Sequence, residues 1–504
     1  MVFMDLSPPP APPAATQPLY RQLAAGYRAA IEDGTLRPGD RMPSVRALMQ
    51  RHAVSLSTAL QLCRHLEDEG WLEARPRSGY FVRRRLRAIA PVSEPDSAGR
   101  PDPAAFVGIH ATVSAIVAEG LRCPDALNLG GASAAPEHYP TEALKNAALR
   151  ALRRNPELLT TPGSPNGNPA FRAVLARRAL EAGIRVTADE VTVTHGGIEA
   201  VNLALRAVAN PGDTVAVESP TFFGLLQVLE SLGMRALEIP TSPSSGISVE
   251  ALELAIESYG DIKAVVVVPN LQNPLGAIMP DSRKAALVAL CERNGIALIE
   301  DDPYREMHSR ATPPKALKAW DRSGNVIHCA SLNKVLAPGM RLGWMAAGRW
   351  QARVAMLKFA QSRHNEEWSQ LAAAEFMATS AYDRHLQRLR EHLREQRERM
   401  ADAVAASFPA TTRLSVPDGG AMLWIELPGQ LSSRRLFEHA LAAGIRIAPG
   451  TMFSNSARFD HFIRLGCGLP FTPALAAALQ RLGGLAHALV AEAGDNAARA
   501  AAAG

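Results

Sequence analysis

The hydrophobic positions of this chain change period along its length, and the change divides it into regions. In LYRQLAAGYRAAIEDGTL, residues 19–36, Leu19, Leu23, Tyr27 and Ile31 recur every fourth residue. That spacing predicts an amphipathic helix, which Gly34 ends. RPGDRMPSVRALMQRH then predicts a turn and a second helix starting after Ser44, a cap placed behind Pro43. AVSLSTALQLCRHLEDEGWL predicts a third helix, capped by Ser55 or Ser57 and closed at Gly70. WLEARPRSGYFV reads as two short apolar strands around a basic glycine turn. Residues 84–105, rich in Arg, Pro, Ala and Ser, predict a linker.

From about residue 106 the pattern becomes one of short β-branched runs: EVTVTHGG, TVAVESP, KAVVVVPN, IALIEDD and NVIHCAS. Helical stretches over 197–208, 221–232 and 280–294 separate them. Such alternation predicts an α/β fold, a mostly parallel sheet with helices on both faces, whose ligands sit beyond the C-terminal strand ends. From about residue 370, long helices and the strands AMLWIEL, IRIAPG and HFIRLGC predict a smaller α+β subdomain. Near the N-terminus, two helices joined by a short turn and followed by a hairpin predict a winged helix-turn-helix over 15–83. The second helix of that pair would enter the major groove of DNA. Residues 1–14 are expected to be a flexible leader, 106–490 a second domain, and the alanine-rich 491–504 a flexible tail.

Composition adds three points. At 504 residues the chain has room for two or three domains, and 47% hydrophobic content suits a sizeable core. The longest apolar runs, such as 264–268, are too short to span a bilayer, and the N-terminus lacks the features of a secretory signal. No membrane partner is expected. The five cysteines are scattered without a Cys-x-x-Cys pair, which suits a reducing cytoplasm and offers no metal site. The net charge of +5 is uneven: residues 15–90 carry 13 arginines against 7 acidic residues. Positive charge gathered on a small module suits a polyanion such as nucleic acid.

The strand ends carry the candidate chemistry. HGGIEA, 195–200, opens a helix with two glycines, a turn that suits a phosphate. ESPTFFGLL offers Phe222 as a flat apolar surface, and NLQNPLG and IEDDPYREM end two further strands. An apolar strand ending in Asp-x-x-Tyr needs a cationic or protonated partner for its carboxylate. The fifth end, HCASLNKVLAPGMRLGW, holds Lys334 in a chain with 54 Lys and Arg, of which 7 are lysines.

In order and spacing these five ends resemble the pyridoxal 5′-phosphate site of the fold type I aminotransferases, over roughly residues 106–490. The resemblance implies that Lys334 holds the cofactor aldehyde covalently as an internal Schiff base, for which arginine is no substitute because it keeps its proton. It implies that Asp301 pairs with the protonated pyridine nitrogen, and that Tyr304 and Asn273 hydrogen-bond the phenolic oxygen. Phe222 would stack on the ring. Gly197 and Ile198, through backbone N–H groups, with Ser331 and Arg341, would hold the phosphate. Arg464 in FIRLGC would clamp the α-carboxylate of an amino acid. Two departures count against efficient transamination: no tyrosine stands in LLTTPGS, just before PNGNPAFR, and Gly197 takes a position often held by Ser or Thr.

The N-terminal module resembles the GntR-type winged helix. That resemblance implies DNA contacts by Arg46, Ser55, Ser57, Thr58 and the wing from Arg75 through Arg77 to Gly79, with arginines mostly on phosphate and helix residues on bases. Some members carry arginines where this chain has Leu56 and Leu60. A GntR-type reader joined to an aminotransferase-like domain resembles the MocR/GabR-type regulators. The resemblance implies a cytoplasmic homodimer on a double-stranded DNA operator, sensing an amine or amino-acid effector through imine exchange at the cofactor lysine. The alternative is an active aminotransferase, converting an amino acid to a 2-oxo acid, with an accessory DNA-binding domain.

Overall fold

The computed structural model describes residues 18–37, 39–75, 78–82 and 89–503. The leader expected over 1–14 lies outside them, as do Arg77, Arg83 and the first linker residues, 84–88; of Arg75 only the backbone is described. The chain divides into two compact units between Ala88 and Ile89.

The first unit holds helices α1 (Leu19–Glu32), α2 (Val45–His52) and α3 (Leu56–Asp68), then strands β1 (Leu72–Arg75) and β2 (Gly79–Val82). The two strands pair antiparallel, with Leu72 opposite Val82. Ser44 caps α2 by accepting the Ala47 N–H at 3.1 Å, and Ser55, rather than Ser57, caps α3 by accepting the Thr58 N–H at 3.2 Å. The core is small: Leu48, Ala59, Leu62, Cys63, Leu66, Trp71, Leu72 and Val82 are buried together.

The second unit is built on a sheet of strands β3 (Ala105–Phe106), β4 (Thr192–Thr194), β5 (Thr214–Ser219), β6 (Arg235–Ser242), β7 (Ile262–Val267), β8 (Ala297–Asp302), β9 (Val326–Ser331) and β10 (Gly343–Ala346). Their order across the sheet is β3-β6-β5-β7-β8-β9-β10-β4. The central pairs β6-β5, β5-β7, β7-β8 and β8-β9 are parallel; β10 runs antiparallel to both neighbours. Strands covered on both faces need apolar residues in sequence rather than in alternation, and Val265, Val266 and Val267 in β7 are all buried.

A second, four-stranded antiparallel sheet holds β11 (Arg413–Ser415), β12 (Met422–Glu426), β13 (Ala448–Pro449) and β14 (Phe462–Gly466) in the order β11-β12-β14-β13. Against it pack a helix over Ser380–Ser407 and a last helix over Pro473–Ala503. The expected flexible tail is therefore helical through Ala503; alanine, its commonest residue, has the best intrinsic helix propensity. Pro473–Gly494 is long and apolar enough, by length and composition, to cross a membrane. Its stripe of Leu475, Ala478, Leu479, Leu482, Ala486 and Leu489 is buried in the core of this unit.

The later half of the expected linker is not a free tether. The Val92 N–H donates to Ser415 Oγ at 3.1 Å, the Ser93 N–H and hydroxyl donate to the Glu426 carboxylate, and Tyr259 donates to the Pro101 carbonyl at 2.6 Å. Arg458 pairs with Asp102 at 2.6 Å. Residues 89–102 are held because Ser93, Glu94, Arg100 and Asp102 in this low-complexity stretch each meet a partner far away in sequence.

Candidate functional site

The C-terminal ends of β5, β8 and β9 and the start of helix α4 (Gly197–Val208) converge on one cavity of about 490 Å³. It is lined by Gly197, Ile198, Phe222, Asn273, Asp301, Tyr304, Ser331, Lys334, Arg341 and Arg464. The ten residues expected to serve the cofactor and its ligand thus meet around one space, although 267 positions separate the first from the last.

One end of the cavity suits an anion. Gly196 turns the chain into α4 with φ 79°, a left-handed angle open to glycine at little cost. The first N–H groups of α4 therefore stand at the positive end of the helix dipole. A Cβ on Gly196 would approach Arg341 Nη2 to 3.0 Å, and a Cβ on Gly197 would approach the Ser331 Cβ to 3.3 Å. Guanidinium, hydroxyl and helix N-terminus thus form one cradle. Arg341 itself adopts φ 52°, a conformation costly for a side chain with a Cβ, which the surrounding turn imposes.

The middle of the cavity holds the titratable groups. Asp301, next to last in β8, has its carboxylate toward the cavity and no hydrogen-bond partner among the described residues. Burial, reinforced by Asp302 and Glu300, pushes its carboxyl up to about 7. Lys334 donates to Ser133 Oγ at 2.9 Å. Burial first, then the charges of Arg464 and Arg341, push its ammonium down to about 8. Burial pushes the Tyr304 phenol up to about 12, and Asn273 Nδ2 donates to its oxygen at 3.3 Å.

At the far side, Arg464 Nη1 donates to Asn273 Oδ1 at 2.9 Å and Nη2 to the Gly130 carbonyl at 2.5 Å. Its Nε is buried without a partner among the described residues. Burial lowers the guanidinium to about 10, and the Phe453 ring centroid lies 5.0 Å from Cζ. Register fixes this position: Arg464 on β14 stands opposite Trp424 on β12 and Ala448 on β13.

These features fit pyridoxal 5′-phosphate. An unpaired, half-buried carboxylate suits a cationic ring nitrogen, a glycine-lined helix start with an arginine suits a phosphate, and an amine of lowered pKa suits an aldehyde.

Sequence reasoning missed part of the wall. Gly130, Gly131, Ala132 and Ser133 line the cavity from a loop about 200 residues before Lys334, and Asn333 and Phe223 line it beside expected neighbours. Tyr139 also reaches the site, donating to the Lys334 carbonyl at 3.4 Å. The Gly-Gly pair at 130–131 was the available signal.

On the N-terminal unit, Arg46, Ser55, Ser57 and Gly79 are exposed and Thr58 is half-buried. Ser55 Oγ lies 2.8 Å from Ser57 Oγ and 2.9 Å from Thr58 Oγ1, so the three hydroxyls are tied to one another and to the cap. Arg41, absent from the expected set, stands beside the wing: a Cβ on Gly79 would lie 3.8 Å from its Nε and Nη2.

Comparison with known proteins agrees with this division. Residues 127–476 match the family Aminotransferase class I and II, and residues 19–82 match the family Bacterial regulatory proteins, gntR family. The chain is 36% identical over 470 residues to "Uncharacterized HTH-type transcriptional regulator YjiR" of Escherichia coli (strain K12), covering 92% of this chain and 98% of that protein. It is 28% identical over 462 residues to HTH-type transcriptional regulator TauR of Rhodobacter capsulatus, covering 88% and 92%. Among solved structures, the α-aminoadipate aminotransferase LysN of Thermus thermophilus, complexed with N-(5'-phosphopyridoxyl)-L-leucine, superposes with a TM-score of 0.69. Its identity is 27%, over 75% of this chain and 95% of LysN. The fold and both matches imply dependence on pyridoxal phosphate in one unit and DNA binding in the other. The chain belongs to the aminotransferase class I and II family and, through the GntR domain that precedes it, to the HTH-type transcriptional regulators of MocR-type architecture.

Proposed function

We propose that this protein is a transcription regulator that reads duplex DNA through its winged helix and senses an amine or amino acid at the pyridoxal phosphate site. The observation that carries the reading is the pairing, in one chain, of a GntR-type DNA reader with a cavity holding Lys334, Asp301, Arg341 and Arg464 together. Pyridoxal 5′-phosphate, when bound, supplies an aldehyde carbon that a lysine or a ligand amine can hold covalently. Lys334 is the chain's own amine for that carbon, and its lowered pKa brings the neutral, nucleophilic form within reach of neutral pH. Asp301 would hold the ring nitrogen, the α4 N-terminus with Ser331 and Arg341 would hold the phosphate, and Phe222 would offer an apolar surface to the ring. Arg464 offers its guanidinium to a ligand carboxylate, braced by Asn273.

In this reading the protein is a cytoplasmic homodimer that pairs two DNA half-sites. The effector acts by binding the two dimer geometries unequally, since equal binding would transmit nothing. The test is a footprint upstream of the protein's own gene, with and without pyridoxal phosphate and with a panel of amino acids. A specific footprint altered by one of them is expected; the absence of any sequence-specific footprint overturns the reading.

Asp301, Tyr304, Lys334 and Arg464 around one cavity also favour a second reading, an active aminotransferase with an accessory DNA-binding domain. Rapid conversion of an amino acid to its 2-oxo acid, with DNA binding unaffected, would select it.

A further inference from the structure

The recognition helix α3 carries an apolar side chain where the fold offers it no cover. Leu56 is its first residue, directly after the Ser55 cap, and it is 54% exposed. The core face of the same helix is made by Ala59, Leu62, Cys63 and Leu66, all at 0% exposure. Leu56 is therefore not part of the core stripe. Leu60, one turn on, is half-buried.

We propose that Leu56 is a base-reading residue that packs against the 5-methyl group of thymine in the major groove, so that each operator half-site carries a thymine at that step. The inference rests on the DNA-binding reading above and specifies what that unit recognises.

Three observations carry it. In a helix-turn-helix the N-terminal residues of the second helix meet the base edges, and Leu56 opens that helix. The same unit exposes Arg41, Arg46, Arg51 and Arg64, which suits a polyanion as its partner. The neighbouring hydroxyls of Ser55, Ser57 and Thr58 hydrogen-bond one another, so Leu56 projects from the helix start beside groups already engaged. Leucine has neither donor nor acceptor. Of the features that distinguish base pairs in the major groove, the thymine methyl is the one that an apolar side chain complements.

The experiment uses the full-length protein and a DNA segment defined by its footprint. Each thymine is replaced in turn by uracil, which removes the methyl group and leaves the hydrogen-bonding edge intact. Wild type is expected to lose affinity about three- to tenfold at one thymine per half-site. Leu56→Ala is expected to bind specifically, with that step alone now indifferent to uracil. Alanine at an exposed helix start preserves the fold, which the unchanged visible spectrum of the cofactor and the thermal transition verify. A flat uracil scan on a specific footprint overturns the Leu56 assignment but leaves the regulator reading standing. A methyl effect that persists in Leu56→Ala overturns it too, by assigning the contact elsewhere. Absence of any specific footprint is the failure of the regulator reading itself.

Discussion

Strand β8 ends in three acids, Glu300, Asp301 and Asp302, and the two faces of the sheet treat them in opposite ways. On one face, Glu300 meets His328 Nδ1 at 3.0 Å and accepts the Leu317 and Lys318 N–H groups. Asp302 accepts from Arg305 Nε at 3.0 Å and from Asn270 Nδ2 at 3.3 Å. Lys284, at 0% exposure, completes this cluster by donating to Asn270 Oδ1 and the Lys315 carbonyl, both at 2.7 Å. Burial raises the Glu300 carboxyl, but His328 and the two amides outweigh it and hold the group below its ordinary value. On the other face Asp301 has no such partner and is pushed up to about 7. Glu300, Asp302 and His328 are close enough to suggest a metal, yet their oxygens are already spent on protein donors. The saturated face is structure; the face left with an unpaired charge is poised for a ligand.

The sharpest contrast is between Lys334, half-buried in the cavity, and Lys284, fully buried on the other face. Lys334→Ala is expected to abolish the visible absorbance of bound cofactor, read in the purified protein. Lys284→Met is expected to keep that absorbance and to lower stability by about 3 kcal/mol in urea, because it leaves buried oxygens unpaired.

Next come the acids. For Asp301 the folded pKa lies above the ordinary 3.8, so its contribution to stability is full below pH 4 and lost as pH rises through about 7. Asp301→Asn is therefore expected to stabilise the cofactor-free protein at pH 8 by up to about 4 kcal/mol, while weakening cofactor retention. Glu300→Gln is expected to do the reverse, destabilising by about 3 kcal/mol with cofactor binding retained. Opposite signs in thermal unfolding at pH 8 check the pair; equal signs would erase the distinction between the faces.

Arg464→Ala is expected to weaken an amino-acid effector about 100-fold, through loss of charge-assisted hydrogen bonds, and to leave an amine without a carboxylate nearly unaffected. Titration of the cofactor spectrum reads both. The smallest effect belongs to the exposed DNA reader, where charges stay hydrated. Arg46→Ala is expected to lower the slope of log affinity against log salt by about 1, uniformly across DNA sequences.

Much of the fold was legible because its signals are short-range. The helix expected over 197–208 is found at Gly197–Val208, and those expected over 221–232 and 280–294 at Phe223–Ser231 and Asp281–Arg293. The antiparallel strand β10 was not foreseen, because Gly343–Ala346 is too short to show a period of its own. The linker misled for a related reason: proline and serine predict a tether locally, while Ser415, Glu426 and Tyr259 hold it from more than 150 residues away.

The sequence by itself determined the two units, the order of the strand ends and the choice of lysine at 334, since these depend on local periodicity and on chemistry that no other residue supplies. The tertiary structure alone decided how the flanking acids Glu300 and Asp302 are paired on the opposite face, because their partners His328, Arg305 and Asn270 meet them only once the sheet is packed. It also brought Ser133 to Lys334 and set Arg464 opposite Trp424, since contacts between distant residues are fixed by register and packing.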